Sequence, residues 1–307
     1  MNDNKHTSNP VAILADETGK EATDTDQFLK RIDRYGKAKS RSASMASYIF
    51  KNCSGYSKLY TSILDCGSFL EFKNYYTIGQ IKLSNASFCK KHLLCPLCAI
   101  RRGAKMLSRY LQRYYDLMAK NPNLTAFLVT FTVKDGDSLP DRYNHLKTSL
   151  QLYHKRRHLK GRKCEAYKAS AAVWSYEFKR GSNSKLWHPH AHAIWLCDSP
   201  PSQSELSSEW YSITGDSFIV DIRPMNISNP VKAFLEVFKY AIKFSDQSEE
   251  DTWYCYQTLK GKRLVGSFGG FYGISEPDDL NDDPLEGLPY YLLIYKFFNG
   301  HYTECHN

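Results

Sequence analysis

The ten residues WHPHAHAIWL, Trp187 to Leu196, limit the fold more than any other stretch of this chain. Large apolar and β-branched residues bound them, and they follow AAVWSYEFKR across the turn-forming GSNS, so the two runs read as the strands of a β-hairpin. Successive strand side chains point to opposite faces, which puts His190, His192, Ile194 and Leu196 on one side and Ala191, Ala193 and Trp195 on the other. A single histidine in such a strand is ordinarily a hydrogen-bonded core residue. Two on one face, two residues apart, can reach one metal ion. On the partner strand Glu177 shares a face with Val173, Ser175 and Lys179, and a mid-strand carboxylate is costly to bury unless it is paired or bound to a cation. His190, His192 and Glu177 are therefore the expected ligands of a divalent ion; two imidazoles and an oxygen suit Mn²⁺ or Mg²⁺, and Zn²⁺ as well. His188 lies on the same face and is given a supporting place.

The rest of the chain sets this hairpin in an α+β protein. LTAFLVTFTV, residues 124–133, reads as another strand of a central antiparallel sheet. Basic amphipathic helices are expected over residues 99–120 and 141–158, a helix at SELSSEWYSIT, a strand at SFIVDIRPM, and a helix from Pro230 to about Phe244. The helices are expected on one face of the sheet. Four regions result: a disordered polar tail over 1–45, a cysteine module with a basic helix over 46–120, a catalytic domain over 121–273, and an acidic loop with a C-terminal tail over 274–307. No apolar run approaches the roughly 18–20 residues that span a bilayer, and the N-terminus lacks a signal-peptide pattern, so a cytoplasmic protein is expected. Its nine cysteines then read as reduced thiols. The net charge of +9 favours a polyanionic partner, and the 22 tyrosines and 16 phenylalanines supply faces on which unpaired bases could stack.

Two further constellations carry chemistry. Cys95-Pro96-Leu97-Cys98 is a C-x-x-C knuckle suited to tetrahedral zinc, with Cys89 six residues before it and a fourth ligand among Cys66, His92 and Cys53. Arg101, Arg102, Lys105 and Arg109 follow it on a helix whose basic face suits DNA phosphates, or is simply solvated. On the helix after Pro230, Glu236, Tyr240 and Lys243 fall on one side at i,i+4 and i,i+3 spacing. A phenol with an ordinary pKa of about 10 needs a neighbouring cation or base to become a nucleophile, which Lys243 and Glu236 offer. Alternatively the two charges are solvated and Tyr240 is core.

Together these residues resemble the HUH endonuclease superfamily, and within it the replication initiators of small rolling-circle plasmids. His190-Ala191-His192 matches the His-hydrophobic-His motif, KYAIK with Tyr240 and Lys243 the tyrosine motif, and FLVTFTV the threonine-rich first motif. Glu236 stands where one branch of these initiators carries a glutamate, and Cys66-Gly67 where they carry a Cys-Gly pair, which favours Cys66 as the fourth zinc ligand. Ala191 is smaller than the usual residue between the histidines. The resemblance spans roughly residues 60–273.

The resemblance implies an RRM- or ferredoxin-like sheet and a metal-dependent nicking and joining enzyme. Tyr240 would attack the scissile phosphate of single-stranded origin DNA, forming a 5′-phosphotyrosine link and leaving a free 3′-hydroxyl primer. Glu236 would be the base for a terminating cut by water. Mn²⁺ or Mg²⁺ would be the catalytic ion and Zn²⁺ the structural one; the partners would be origin DNA and a bacterial host's helicase and polymerase, with assembly of more than one copy at the origin. The alternatives are a single-tyrosine transposase or relaxase, a metal-dependent hydrolase without a covalent adduct, and a non-catalytic zinc-binding DNA regulator.

Overall fold

The hairpin read from the sequence forms the centre of a five-stranded sheet in a computed structural model, which describes residues 24–159, 164–239 and 247–305. The chain divides into two units, residues 109–275 and residues 1–108 with 276–307. Both are α+β with antiparallel sheets, as the pattern anticipated.

In the unit of residues 109–275 the strand order is β6-β3-β5-β4-β7, formed by β3 (Thr125–Thr132), β4 (Ala169–Arg180), β5 (Trp187–Cys197), β6 (Val220–Pro224) and β7 (Val265–Phe268). Helices α4 (Leu139–Arg156) and α5 (Gln203–Thr214) cover one face. Phe131 meets Trp210 at 4.9 Å between ring centroids, and Tyr153 stacks on Trp195 at 6.3 Å. The alternation of β3 explains this: Phe127, Val129 and Phe131 are buried, while Leu128, Thr130 and Thr132 keep partial access to solvent on the opposite side. On that opposite side α6 (Pro230–Phe238) lies against β4 and β5, its last turn tied down where Ser175 Oγ donates to the Val237 carbonyl. Pro230 occupies the first turn, where its missing N–H costs nothing. Helix α7 (Glu249–Leu259) is anchored to the hairpin by Arg180, whose guanidinium meets Asp251 at 2.6 Å.

The second unit contains a sheet of order β2-β1-β8-β9, built from β1 (Phe69–Tyr75), β2 (Gln80–Ala86), β8 (Tyr291–Phe298) and β9 (His301–Glu304). The C-terminal tail is thus a sheet component paired with β1, from Phe69↔Lys296 to Asn74↔Tyr291. The polar tail expected to reach residue 45 is helical from Asp24: α1 (Asp24–Asn52) buries Phe28, Ile32, Tyr35, Met45, Ala46 and Ile49. That stripe is interrupted by the buried Arg31, Lys39 and Ser42, which made it look polar; residues 1–23 lie outside those described. Helix α2 (Ser57–Asp65) follows, and α3 (Pro96–Lys120) begins in this unit. Arg31 and Arg101 converge on one buried carboxylate, Asp282, at 2.8 and 2.6 Å, and Asp282 also accepts from Leu83 N at 2.7 Å. Among the described residues no helix is long and apolar enough to cross a membrane.

Candidate active site and metal centre

Strand register assembles the histidine site. His192 stands opposite Thr130 of β3 and Ser175 of β4, and His190 opposite Thr132 and Glu177, so all six share one face of the sheet. Thr130 Oγ1 is 3.1 Å from His192 Nδ1, and Thr132 Oγ1 is 3.3 Å from His190 Nδ1. A hydroxyl oxygen accepting from Nδ1–H leaves the Nε2 lone pair of each ring free to bind a cation. Burial lowers the His190 pKa to about 4, with His192, Lys179 and His188 adding to the effect and Glu177 opposing it, so the ring is uncharged at neutral pH. Glu177 is buried, and its Oε2 lies 3.6 Å from His192 Nε2. That is too long for a hydrogen bond and close to the roughly 3–3.5 Å between two ligands of one ion. The His190 and His192 ring centroids are 6.1 Å apart, a wider set than a closed ligand shell. Two neutral imidazoles and a carboxylate nevertheless form a donor set that fits a divalent cation.

His188 is drawn aside from this set. Its Nδ1 lies 2.6 Å from Asp135 Oδ1 and its Nε2 3.4 Å from Ser184 Oγ. Neither Asp135 nor the orienting role of Thr130 and Thr132 was singled out from the sequence. The clue was the Thr-x-Thr spacing of β3, which matches the His-x-His spacing of β5.

Of the tyrosine constellation, Glu236 is described on the outer side of α6, where its Oε1 meets Lys239 Nζ at 2.8 Å. Tyr240 and Lys243 lie outside the described residues, as does the end of the expected helix to Phe244.

The cysteines form a closed cluster. The Sγ atoms of Cys66, Cys89, Cys95 and Cys98 all lie within 4.8 Å of one another, and among the described residues this is the group so arranged. Cys66–Cys98 is 3.4 Å, Cys66–Cys95 3.6 Å and Cys89–Cys98 3.6 Å. Four thiolates about 2.3 Å from one tetrahedral ion stand about 3.8 Å apart, so the donors fit a metal centre. Neither His92 nor Cys53 belongs to the group; burial and the nearby Arg102 hold the His92 pKa down at about 4. Gly67 adopts φ +67°, and a Cβ there would collide with Leu97 Cδ2, which explains a glycine directly after the first ligand.

The basic helix corrects one expectation. Arg101 is fully buried, donating to Leu280 O, Tyr35 Oη and Asp282, so it is a core ion-pair residue and not a DNA contact. Arg102 bonds Glu276 at 2.6 Å, Lys105 bonds Asp283 at 2.6 Å, and Arg109 donates to the Ser275 carbonyl at 2.8 Å. The acidic loop, read as a separator, supplies these partners.

A family model described as "Replication protein" matches residues 80–288, taking in the histidine strand, the tyrosine segment and three of the four clustered cysteines. The chain belongs to this family. With it stands the resemblance to rolling-circle plasmid replication initiators drawn from the motifs. A "Protein rep" of a Bacillus species is 24% identical over 262 residues, covering 74% of this chain and 83% of the relative. The "Protein rep" of Streptococcus pneumoniae serotype 2 is 26% identical over 242 residues, 73% of each chain, and that of Bacillus amyloliquefaciens 24% over 250 residues, 70% and 71%. No solved structure matches. The family match begins after Cys66, so that ligand is assigned by geometry alone.

Proposed function

We propose that the protein starts rolling-circle replication of a plasmid by nicking single-stranded origin DNA and joining it to Tyr240. The observation that carries this reading is the Thr130–His192 and Thr132–His190 pairing beside the buried Glu177, within a chain of the replication-protein family. His190, His192 and Glu177 would hold Mn²⁺ or Mg²⁺, which when bound supplies positive charge to the scissile phosphate. The threonines fix the ring tautomers, and the desolvated face keeps both imidazoles neutral and available.

Tyr240 follows Val237 by three residues, and Val237 is bonded to Ser175, the direct cross-strand neighbour of His192. Three residues reach at most ~10 Å, which supports a tyrosine beside the histidine face. The phenolic oxygen forms a bond to phosphorus as the bond to the 3′-oxygen breaks, giving a 5′-phosphotyrosine and a 3′-hydroxyl that takes up a proton. Glu236, once released from Lys239, is placed to accept a proton from water for the terminating cut, and Lys243 to lower the phenol pKa. Cys66, Cys89, Cys95 and Cys98 would hold a structural Zn²⁺. Arg102, Lys105 and Arg109 would meet origin phosphates only on leaving their present partners. Host helicase and polymerase would act on the exposed strand and primer.

Incubation with labelled single-stranded origin DNA and Mn²⁺ tests this. A DNA-linked peptide containing Tyr240, lost in Tyr240→Phe, is expected. Cleavage that persists in Tyr240→Phe without an adduct would replace the reading with a metal-dependent hydrolase.

A further inference from the structure

Lys39 is a buried cation without a carboxylate hydrogen-bond partner. It sits on the inner side of α1, 3% exposed, donates to the Leu64 carbonyl and stands 5.8 Å from the Phe297 ring centroid. An ammonium withdrawn from water is costly unless an opposite charge stands close to it. Burial lowers the Lys39 pKa, and the groups that oppose the effect are Cys66, Cys95, Asp65 and Cys89, three of the four being members of the cysteine cluster. Four protonated thiols offer no charge to offset an ammonium. A divalent ion with four thiolates carries two net negative charges, and ligation requires the thiols to be deprotonated. A further group is turned toward the same sulfurs: Cys89 N–H donates to Cys66 Sγ at 3.4 Å.

We propose that Lys39 is the counter-charge of the four-cysteine site, a buried cation that favours the doubly negative metal–thiolate cluster over four neutral thiols. The inference rests on reading the cysteines as a metal centre. In that reading α1 contributes to the centre a residue that touches no metal, and the centre ties α1 to the knuckle at the start of α3. Lys39 is a positioning and charge-balancing residue, comparable to the outer groups that set the affinity of metal sites.

Zinc transfer from the full-length protein to a chromogenic chelator, at fixed pH, separates the alternatives. Lys39→Gln keeps a donor for the Leu64 carbonyl and removes the charge; Lys39→Met removes both. The expectation is roughly tenfold or greater loss of zinc affinity in both variants, with circular dichroism of the loaded proteins unchanged. If Lys39→Gln holds zinc as the wild type does and only Lys39→Met loses it, the hydrogen bond matters and the counter-charge is overturned. A wild-type chain that retains no zinc would overturn the metal centre itself, a result distinct from an unchanged affinity in the variants.

Discussion

Thr130 Oγ1 and His192 Nδ1, 3.1 Å apart across the β3–β5 ladder, tie the threonine strand to the histidine strand. The contact decides which nitrogen of the ring faces Glu177. Removing it should cost metal affinity more than stability. Thr130→Val, of similar shape, is expected to weaken Mn²⁺ binding roughly 10- to 100-fold while leaving thermal unfolding of the metal-free protein nearly unchanged. Calorimetric titration of both proteins checks this, and equal affinities would refute the orienting role.

One zinc per chain is expected by elemental analysis, falling to none in Cys98→Ser. The cluster joins the segment after α2 to the start of α3, so chelation should loosen the unit that contains it. Hydrogen exchange should rise first in residues 66–98, and protection unaffected by chelator would argue against a structural ion.

Asp282 accepts from Arg31, Arg101 and Leu83 N, linking α1, α3 and β2. Asp282→Ala leaves two buried guanidinium groups facing each other and should destabilise the protein by roughly 3–5 kcal/mol in denaturant titration. The two arginines hold the carboxyl well below its ordinary pKa. A depressed carboxylate pKa contributes stability above the unfolded value, about 3.9, and that contribution is lost as pH falls below it. The variant should therefore lack this acid-sensitive component.

His154 gives a second pH dependence at milder acidity. It is buried against Trp174 and Phe268, neither ring nitrogen has a hydrogen-bond partner, and burial lowers its pKa to about 3. Above about pH 6.5 it is neutral folded or unfolded and costs nothing; as pH falls from there toward 3 only the unfolded chain takes the proton. Stability should decline with a slope of up to about 1.4 kcal/mol per pH unit in that window. His154→Phe should flatten the slope, as measured by urea unfolding at pH 7 and pH 5.

The hairpin, the threonine strand and the helix at Pro230 were legible because strand alternation and helical spacing are local properties, written into every second or every third and fourth residue. The C-x-x-C knuckle was legible for the same reason, since two ligands four residues apart need only a turn. Helix α1 was not, because three polar residues that the tertiary structure buries, Arg31, Lys39 and Ser42, broke its apolar stripe. Arg101 was misread as a surface cation because its burial depends on Asp282, 181 residues away.

The amino-acid order alone thus determined the elements and the type of chemistry: alternating histidines for a metal, clustered thiolates for a second one, a tyrosine on a helix as nucleophile. Only the tertiary structure decided which groups meet. Cross-strand register set Thr130 and Thr132 against the imidazoles, and closure of the chain brought Cys66 to Cys98 and Asp282 to Arg101. Such contacts depend on packing between segments distant in sequence, and no local pattern encodes them.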